Sequence, residues 1–128
     1  MKLTELGKEL RKIRIGREEV LFDMAKKLQM SSAMLSAIET GSKAAPDNFV
    51  ERLANLYEEV GNDREHFTHL AELTKKQIKL ALEDSSLEAK EAACTFARYL
   101  PQLTAADLAA ISKVLEKYKA PYDKKIKG

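Results

Sequence analysis

Features that often define a protein class are scarce in this 128-residue chain. It has one cysteine, Cys94, so we expect neither an internal disulfide nor a zinc site built from cysteines. Only 5 glycines and 3 prolines interrupt a chain rich in helix-forming residues, which favours helices with short connections. No apolar run approaches the length of a bilayer span, and residues 1–5 lack the apolar core of a secretory signal. We therefore expect a mainly all-α, cytoplasmic protein without a membrane segment.

A basic field is also missing from the sequence. The net charge is +2, with 22 basic and 20 acidic residues. Residues 1–59 carry ten charges of each sign, and residues 60–128 carry twelve basic and ten acidic residues. Charge alone therefore does not indicate nucleic-acid binding, and such a function has to be argued from a motif and from local patches.

Signatures of catalysis and metal binding are absent too. The sequence contains no Gly-rich phosphate loop and no nucleophile elbow. His66 and His69 lie three residues apart, but a metal site would need further ligands, and none is expected. Cys94 lies in an apolar helical context, which predicts a small buried residue rather than a nucleophile. We expect no enzymatic activity, no metal and no cofactor.

The first half of the chain has apolar residues at helical spacing. The pattern predicts a first helix that ends near Gly16 and a short second helix over 21–28. A third helix follows from 31 to 40, because Ser31 is a good N-cap and Gly41 a natural terminator. Pro46 begins a fourth helix, which runs to residue 60.

The second half differs in pattern. Asp63 can cap one helix, and the sequence Ser-Ser-Leu-Glu at 85–88 predicts a capping box for another. Apolar residues alternate over 77–83, the period of a strand, although the neighbouring residues favour helix. We predict one short strand there, with helix as the open alternative. After a last cap at Thr104, apolar residues at 3-4-3 spacing form a narrow seam suited to a partner helix. The alternating segment and the seam give the predicted dimer interface: Ile78, Leu80, Leu82, Leu108, Ile111, Leu115 and Tyr118.

Residues 24–41 meet the requirements of a helix-turn-helix, whose second helix enters a major groove of DNA. Ala25 is small at the point where the two helices must approach closely. Leu28, Met30, Leu35 and Ile38 are apolar where the pair must pack into a core.

The stretch from 6 to 57 resembles the Cro/C1/Xre family of helix-turn-helix regulators, chiefly through the run Ser-x-x-x-Leu-Ser-x-Ile-Glu-x-Gly at 31–41. The resemblance covers about the first half of the chain. It implies a lambda-repressor-like domain of four to five helices over 1–61. A helical dimerisation region over 62–120 and a basic tail over 121–128 complete the predicted organisation. The matching residues are Leu10, Arg11, Met24, Ala25, Leu28, Ser31, Leu35, Ser36, Ile38, Glu39 and Gly41.

Three positions depart from the family pattern. The turn has Gln29 where the family usually has glycine, so Gln29 must adopt a left-handed conformation or change the turn. Leu21 replaces a glutamine that contacts phosphate in many members. The loop after the third helix carries only one basic residue, Lys43.

The outward positions of the third helix lack Arg, Asn and Gln, so bidentate reading of a base from this helix is excluded. Serine hydroxyls, contact of an alanine with a thymine methyl group, and DNA shape remain as sources of specificity. The candidate base-reading residues are Gln29, Ser32, Ala33, Ser36 and Ala37. The candidate phosphate contacts are Arg14, Arg17, Lys26, Lys27, Ser31 and Lys43. Glu39 is expected to pair with Arg11 or Arg14 within the domain.

These patterns lead to two functional hypotheses. The first is a sequence-specific transcriptional regulator, a homodimeric repressor that reads a palindromic operator in double-stranded DNA through the helix at 31–40. The second is an antitoxin or adaptor that binds a cognate protein partner and binds DNA weakly or not at all.

Overall fold

The chain divides into two compact units, which meet in sequence between Ile78 and Lys79. A computed structural model describes residues 2–119 of the protein. Within this range there are eight α-helices and no β-strand, which confirms the predicted all-α class. None of these helices is both long and apolar enough to cross a membrane. The predicted basic tail at 121–128 lies outside the described residues.

Six helices build the first unit, and their apolar faces meet in a single core. Each large side chain in such a core stabilises the fold by about 1.5–3 kcal/mol relative to an exposed position. The helices are α1 (Glu5–Gly16), α2 (Leu21–Lys27), α3 (Ser32–Thr40), α4 (Phe49–Leu56), α5 (Glu58–Gly61) and α6 (Arg64–Glu72). The largest fully buried side chains are Leu6, Leu10, Met24, Leu28, Leu35, Ile38, Phe49, Leu53, Tyr57 and Val60.

The prediction of one helix from 46 to 60 is wrong. Residues 46–48 form a turn in which the Phe49 amide donates to the Pro46 carbonyl, and α4 begins only at Phe49. Tyr57 then leaves the helix with an extended backbone (φ −129°, ψ 116°), and α5 begins at Glu58. The break allows the Tyr57 ring to enter the core while its hydroxyl donates to Glu19 at 2.7 Å.

The first unit extends past the predicted domain boundary at residue 61, because α6 packs against α1 and α4. Phe67 and Leu70 of α6 are buried in the common core. After α6, the buried Thr74 hydroxyl accepts a hydrogen bond from the Ala45 amide at 2.9 Å and donates to the Ala71 carbonyl. These bonds fasten the end of α6 to the loop that precedes α4.

The predicted strand near 77–83 is absent, and the same residues do not form a helix. Residues 77–82 have no regular secondary structure and Glu83 lies in a turn, and the exposed fractions of Ile78 and Leu80 are 79% and 63%. A strand is stable only beside another strand, and the described part of the chain offers none. Alternation of apolar residues therefore does not produce a strand here.

The second unit contains two helices, α7 (Leu87–Tyr99) and α8 (Ala105–Leu115), joined by a 3₁₀ turn at Leu100–Gln102. Ser86 caps α7, since its hydroxyl accepts from the Ala89 amide at 3.1 Å, so the capping box predicted over 85–88 is wrong. Thr104, the predicted cap of α8, forms a capping box with Asp107, with reciprocal bonds of 3.0 Å and 3.1 Å.

Neither α7 nor α8 contains a buried residue. Cys94, which the sequence predicts to be buried, is exposed. The prediction was wrong because the apolar residues around Cys94 imply a core, and the described part of the second unit has none.

Candidate nucleic-acid interface

Helices α2 and α3 form the predicted helix-turn-helix pair. Met24, Ala25 and Leu28 of the first segment are buried against the same core as Leu35 and Ile38 of α3. Apolar residues thus occupy the inner side of both helices. The outer side of α3 is left to polar and small residues.

The turn between the helices contains Gln29 in a left-handed conformation with φ 59°. The Gln29 amide donates to the Lys26 carbonyl, and the Met30 amide donates to the Ala25 carbonyl, each at 3.0 Å. The sequence left two outcomes for this position. The chain keeps the turn and places a glutamine where glycine is more favourable.

Replacing Gln29 with glycine is expected to raise the free energy of unfolding by up to about 1 kcal/mol, because relief of the left-handed strain exceeds the added entropy of the unfolded chain. The measurement is urea unfolding followed by circular dichroism. Gln77→Gly, at an exposed site with negative φ, is the matched control and should not stabilise. A destabilised Gln29→Gly variant would show that the left-handed conformation of Gln29 is not strained.

Both ends of α3 are fixed by local interactions. The Ser31 hydroxyl accepts from the Met34 amide at 3.0 Å, so Ser31 is the N-cap of α3. At the other end, Gly41 adopts φ 84° and its amide donates to the Ile38 carbonyl. In the cap the Ser31 hydroxyl oxygen accepts a hydrogen bond, so its own hydrogen is not used. The hydroxyl can rotate and donate this hydrogen to a phosphate.

The predicted base-reading residues lie at the surface of the domain. Ala33 is exposed, while Ser32, Ser36 and Ala37 are half-buried, and Gln29 is exposed at the turn. The one charged residue of α3, Glu39, is buried. The outward face of α3 is therefore small and uncharged.

Helix α1 holds the carboxyl end of α3 at the backbone. The Thr4 amide and the Thr4 hydroxyl both donate to the Glu39 carbonyl, at 2.8 Å and 3.0 Å. Gly7 lies so close that an added Cβ would be 2.3 Å from the same carbonyl oxygen. Neither Thr4 nor Gly7 is among the site residues predicted from the sequence. A glycine inside an otherwise amphipathic helix was the available signal.

A buried ion pair joins the same two helices. The Arg14 guanidinium donates to both carboxylate oxygens of Glu39, at 2.5 Å and 3.0 Å, and only 7% of Arg14 and 3% of Glu39 is exposed. The expected pairing of Glu39 with Arg11 or Arg14 is thus made by Arg14. Its burial and bidentate pairing remove Arg14 from the group of side chains that can reach a phosphate.

Two further candidate phosphate contacts, Arg17 and Lys27, are paired with acidic residues near Tyr57. Arg17 donates to both carboxylate oxygens of Glu59, and Lys27 donates to Glu19 at 2.6 Å. Both cations lie over the Tyr57 ring, 5.0 Å and 5.3 Å from its centre. Arg17 and Lys27 therefore point towards Tyr57 and not towards α3.

Titration of this group follows from the same contacts. Burial, followed by the hydrogen bond to Glu19, raises the pKa of Tyr57. Burial opposes ionisation of Glu19, but hydrogen bonds from Lys27 and Tyr57 outweigh it and lower its pKa. The hydrogen bond from Arg17 lowers the pKa of Glu59. Both acids are therefore ionised at neutral pH and neutralise the two cations.

Lys26 and Lys43 are exposed, and neither forms an ion pair with any residue in the range 2–119. Lys26 lies in the last turn of α2, and Lys43 lies just after α3. Among the five basic candidates, these two keep their charge available on the helix-turn-helix.

Comparison with known families supports the geometry of the first unit. Residues 5–67 match the family model described as a helix-turn-helix domain. This match supports a helix-turn-helix family of DNA-binding proteins, and it indicates a DNA-binding regulator. The matched range runs from α1 into α6. No curated protein and no solved structure gave a significant match.

Proposed function

We propose that the chain is a sequence-specific transcriptional regulator of the Cro/C1/Xre type, a homodimeric repressor that reads a palindromic operator through the helix at 31–40. The observation that carries the proposal is α3 itself. Its buried side packs into the core and its carboxyl end is fixed to α1, while its outward side presents small polar and apolar residues. A rigid helix with a small outward face fits closely into a major groove.

Base recognition by this surface depends on weak contacts. Hydroxyl groups of Ser32 and Ser36 can bond to several bases, and Ala33 can contact a thymine methyl group. Gln29 beside α3 is the one amide side chain close enough in sequence to reach a base edge or a phosphate. Specificity then comes largely from DNA shape and from the spacing of two half-sites, which a homodimer imposes.

Phosphate binding is assigned to Lys26, Lys43 and the hydroxyl of Ser31. A lysine needs only charge and reach to contact a phosphate, and both lysines flank the helix pair that would approach DNA. Each phosphate contact contributes about 0.9 to the dependence of log affinity on log salt concentration. A dimer with two lysines per chain therefore binds DNA with a salt dependence of about 3–4 from these residues.

The Lys26→Ala/Lys43→Ala double variant tests this assignment. We expect weaker binding to both a promoter fragment and scrambled DNA of equal length, with a salt dependence reduced by about 3–4. The measurement is a fluorescence anisotropy titration at several salt concentrations. Lys27→Ala/Lys12→Ala is the control with the same loss of charge, since both lysines are already paired with acids. An equal loss in the control would refute the assignment.

The alternative is an antitoxin or adaptor that binds a cognate protein. It is favoured by the neutralisation of Arg14, Arg17 and Lys27 by Glu39, Glu59 and Glu19, which leaves few cations for DNA. Purification of the native protein distinguishes the two. A stoichiometric partner protein, together with no DNA binding even at low salt, would support the adaptor. Preference for promoter DNA would support the regulator.

A further inference from the structure

Helix α8 is apolar on almost every side. Eight of its eleven residues are Ala, Leu, Ile or Val, and a helix of this composition is normally buried all round. In the single chain it is not. The exposed fractions of Val114 and Leu115 are 65% and 52%, and Leu108 is 39% exposed. The composition of α8 is therefore that of a buried helix, whereas in the single chain the helix is exposed.

An open apolar groove lies beside this helix. It has a volume of about 600 Å³, and α7 contributes most of its wall. Phe96 and Tyr99 from α7, Leu103 from the connection and Ile111 from α8 form its apolar surface. Glu88 and Glu91 lie at the end of the groove that is nearer the start of α7. The groove is thus apolar along its length and acidic at one end.

Charge favours a second copy of this chain as the occupant. Residues 79–119 carry six basic and six acidic residues, so two such units do not repel each other through net charge. The basic residues include Lys113 in the last turn of α8 and Lys117 in the 3₁₀ turn that follows it, and neither forms an ion pair within residues 2–119. Glu88 and Glu91 are likewise without an ion pair in this range. One unit therefore carries both the acidic groove end and two lysines, near the carboxyl end of an apolar helix, that can pair with it.

We propose that two copies of the chain interlock through their second units, with α8 of each copy seated in the groove of the other. Glu88 and Glu91 of one copy then lie opposite Lys113 and Lys117 of its partner. The exposed residues Leu108, Leu115 and Tyr118 become part of a shared core that neither copy can form alone. This inference rests on the proposed function, because a palindromic operator requires two joined helix-turn-helix domains.

Two alanines of α7 provide a matched test. Ala92 lines the groove and Ala97 does not, and both are exposed on the same helix in the single chain. Ala92→Glu places a larger, charged side chain where α8 of the partner is proposed to pack and should raise the dimer dissociation constant about 30-fold or more. Ala97→Glu should leave it unchanged. Sedimentation equilibrium of the full chain measures both. Equal effects of the two variants would overturn the proposed packing of α8 in the groove of its partner.

Charge reversal tests the register. One variant chain carries Glu88→Lys/Glu91→Lys, and the other carries Lys113→Glu/Lys117→Glu. Each alone faces like charges at both contacts of its own dimer and should dissociate more readily. A mixture of the two places opposite charges at both contacts, so a 1:1 heterodimer should form as tightly as the natural dimer. Failure of mixing to restore association would overturn the register.

DNA binding is measured separately, so that the two proposals can fail independently. A monomeric natural chain at every accessible concentration overturns the interlocked dimer, whether or not that chain binds promoter DNA. A dimer that loses association in Ala92→Glu, but binds no DNA at low salt, supports the interface and overturns the regulator.

Discussion

Glu39→Ala is expected to lower the free energy of unfolding by about 3–5 kcal/mol. The change leaves the guanidinium of Arg14 buried without its carboxylate partner, in a site where only 7% of that residue is exposed. Water cannot replace the lost hydrogen bonds there at low cost. Urea unfolding, followed by circular dichroism, measures the loss.

An exposed ion pair provides the control for Glu39→Ala. Glu51 accepts from Arg64 at 2.7 Å, but both side chains are about half-exposed or more, so Glu51→Ala should cost at most about 1 kcal/mol. The double variant Arg14→Leu/Glu39→Leu should be more stable than Glu39→Ala, because no unpaired charge remains. A loss for Glu39→Ala no larger than that for Glu51→Ala would contradict a buried, dehydrated pair.

Gly7→Ala and Gly16→Ala are expected to change stability in opposite directions, although both lie in α1. A Cβ at Gly7 would lie 2.3 Å from the Glu39 carbonyl oxygen, and that oxygen is held by Thr4. Relief of this overlap should cost about 1–3 kcal/mol and push α3 away from α1. A Cβ at Gly16 meets no atom within 4 Å, so alanine there should stabilise by about 0.5–1 kcal/mol.

The comparison of the two glycines also reports on DNA binding. Gly7→Ala displaces α3, the helix that is proposed to enter the major groove of DNA, so DNA affinity should fall even where the protein is still folded. Gly16→Ala should bind DNA as the natural chain does. Thermal unfolding and anisotropy on the same samples separate the two effects. Similar stabilities for both variants would contradict the close approach of α1 to α3.

Local signals in the sequence were sufficient for the helix-turn-helix. Apolar spacing, the cap at Ser31 and the terminator at Gly41 act within a few residues of one another, and the structure confirms all three. The turn at Gln29 also depends on nearby residues, and its left-handed conformation was one of the two outcomes that the sequence predicted. Features fixed by neighbours along the chain can be read from the chain.

Features that depend on distant residues could not be read in this way. Arg17 pairs with Glu59 across 42 positions, and the Tyr57 hydroxyl finds Glu19 across 38. The sequence pattern predicts Arg17 and Lys27 as free surface cations. Only the folded structure shows that Glu59 of α5 pairs with Arg17 and that Glu19, before α2, pairs with Lys27. The break of the fourth helix at Tyr57 and the absent strand near 77–83 have the same origin, since both depend on what lies beside the segment in space.

The division of labour within α3 has a consequence for how such a protein can change over time. Its structural requirements fall on Leu35, Ile38 and Glu39, whereas its outward residues make few structural contacts. Under the proposed function, a single substitution such as Ala33→Gln would add an amide able to bond adenine without disturbing the core. New operator preferences are then one mutation away, and the scaffold can diverge in what it reads while its fold is preserved.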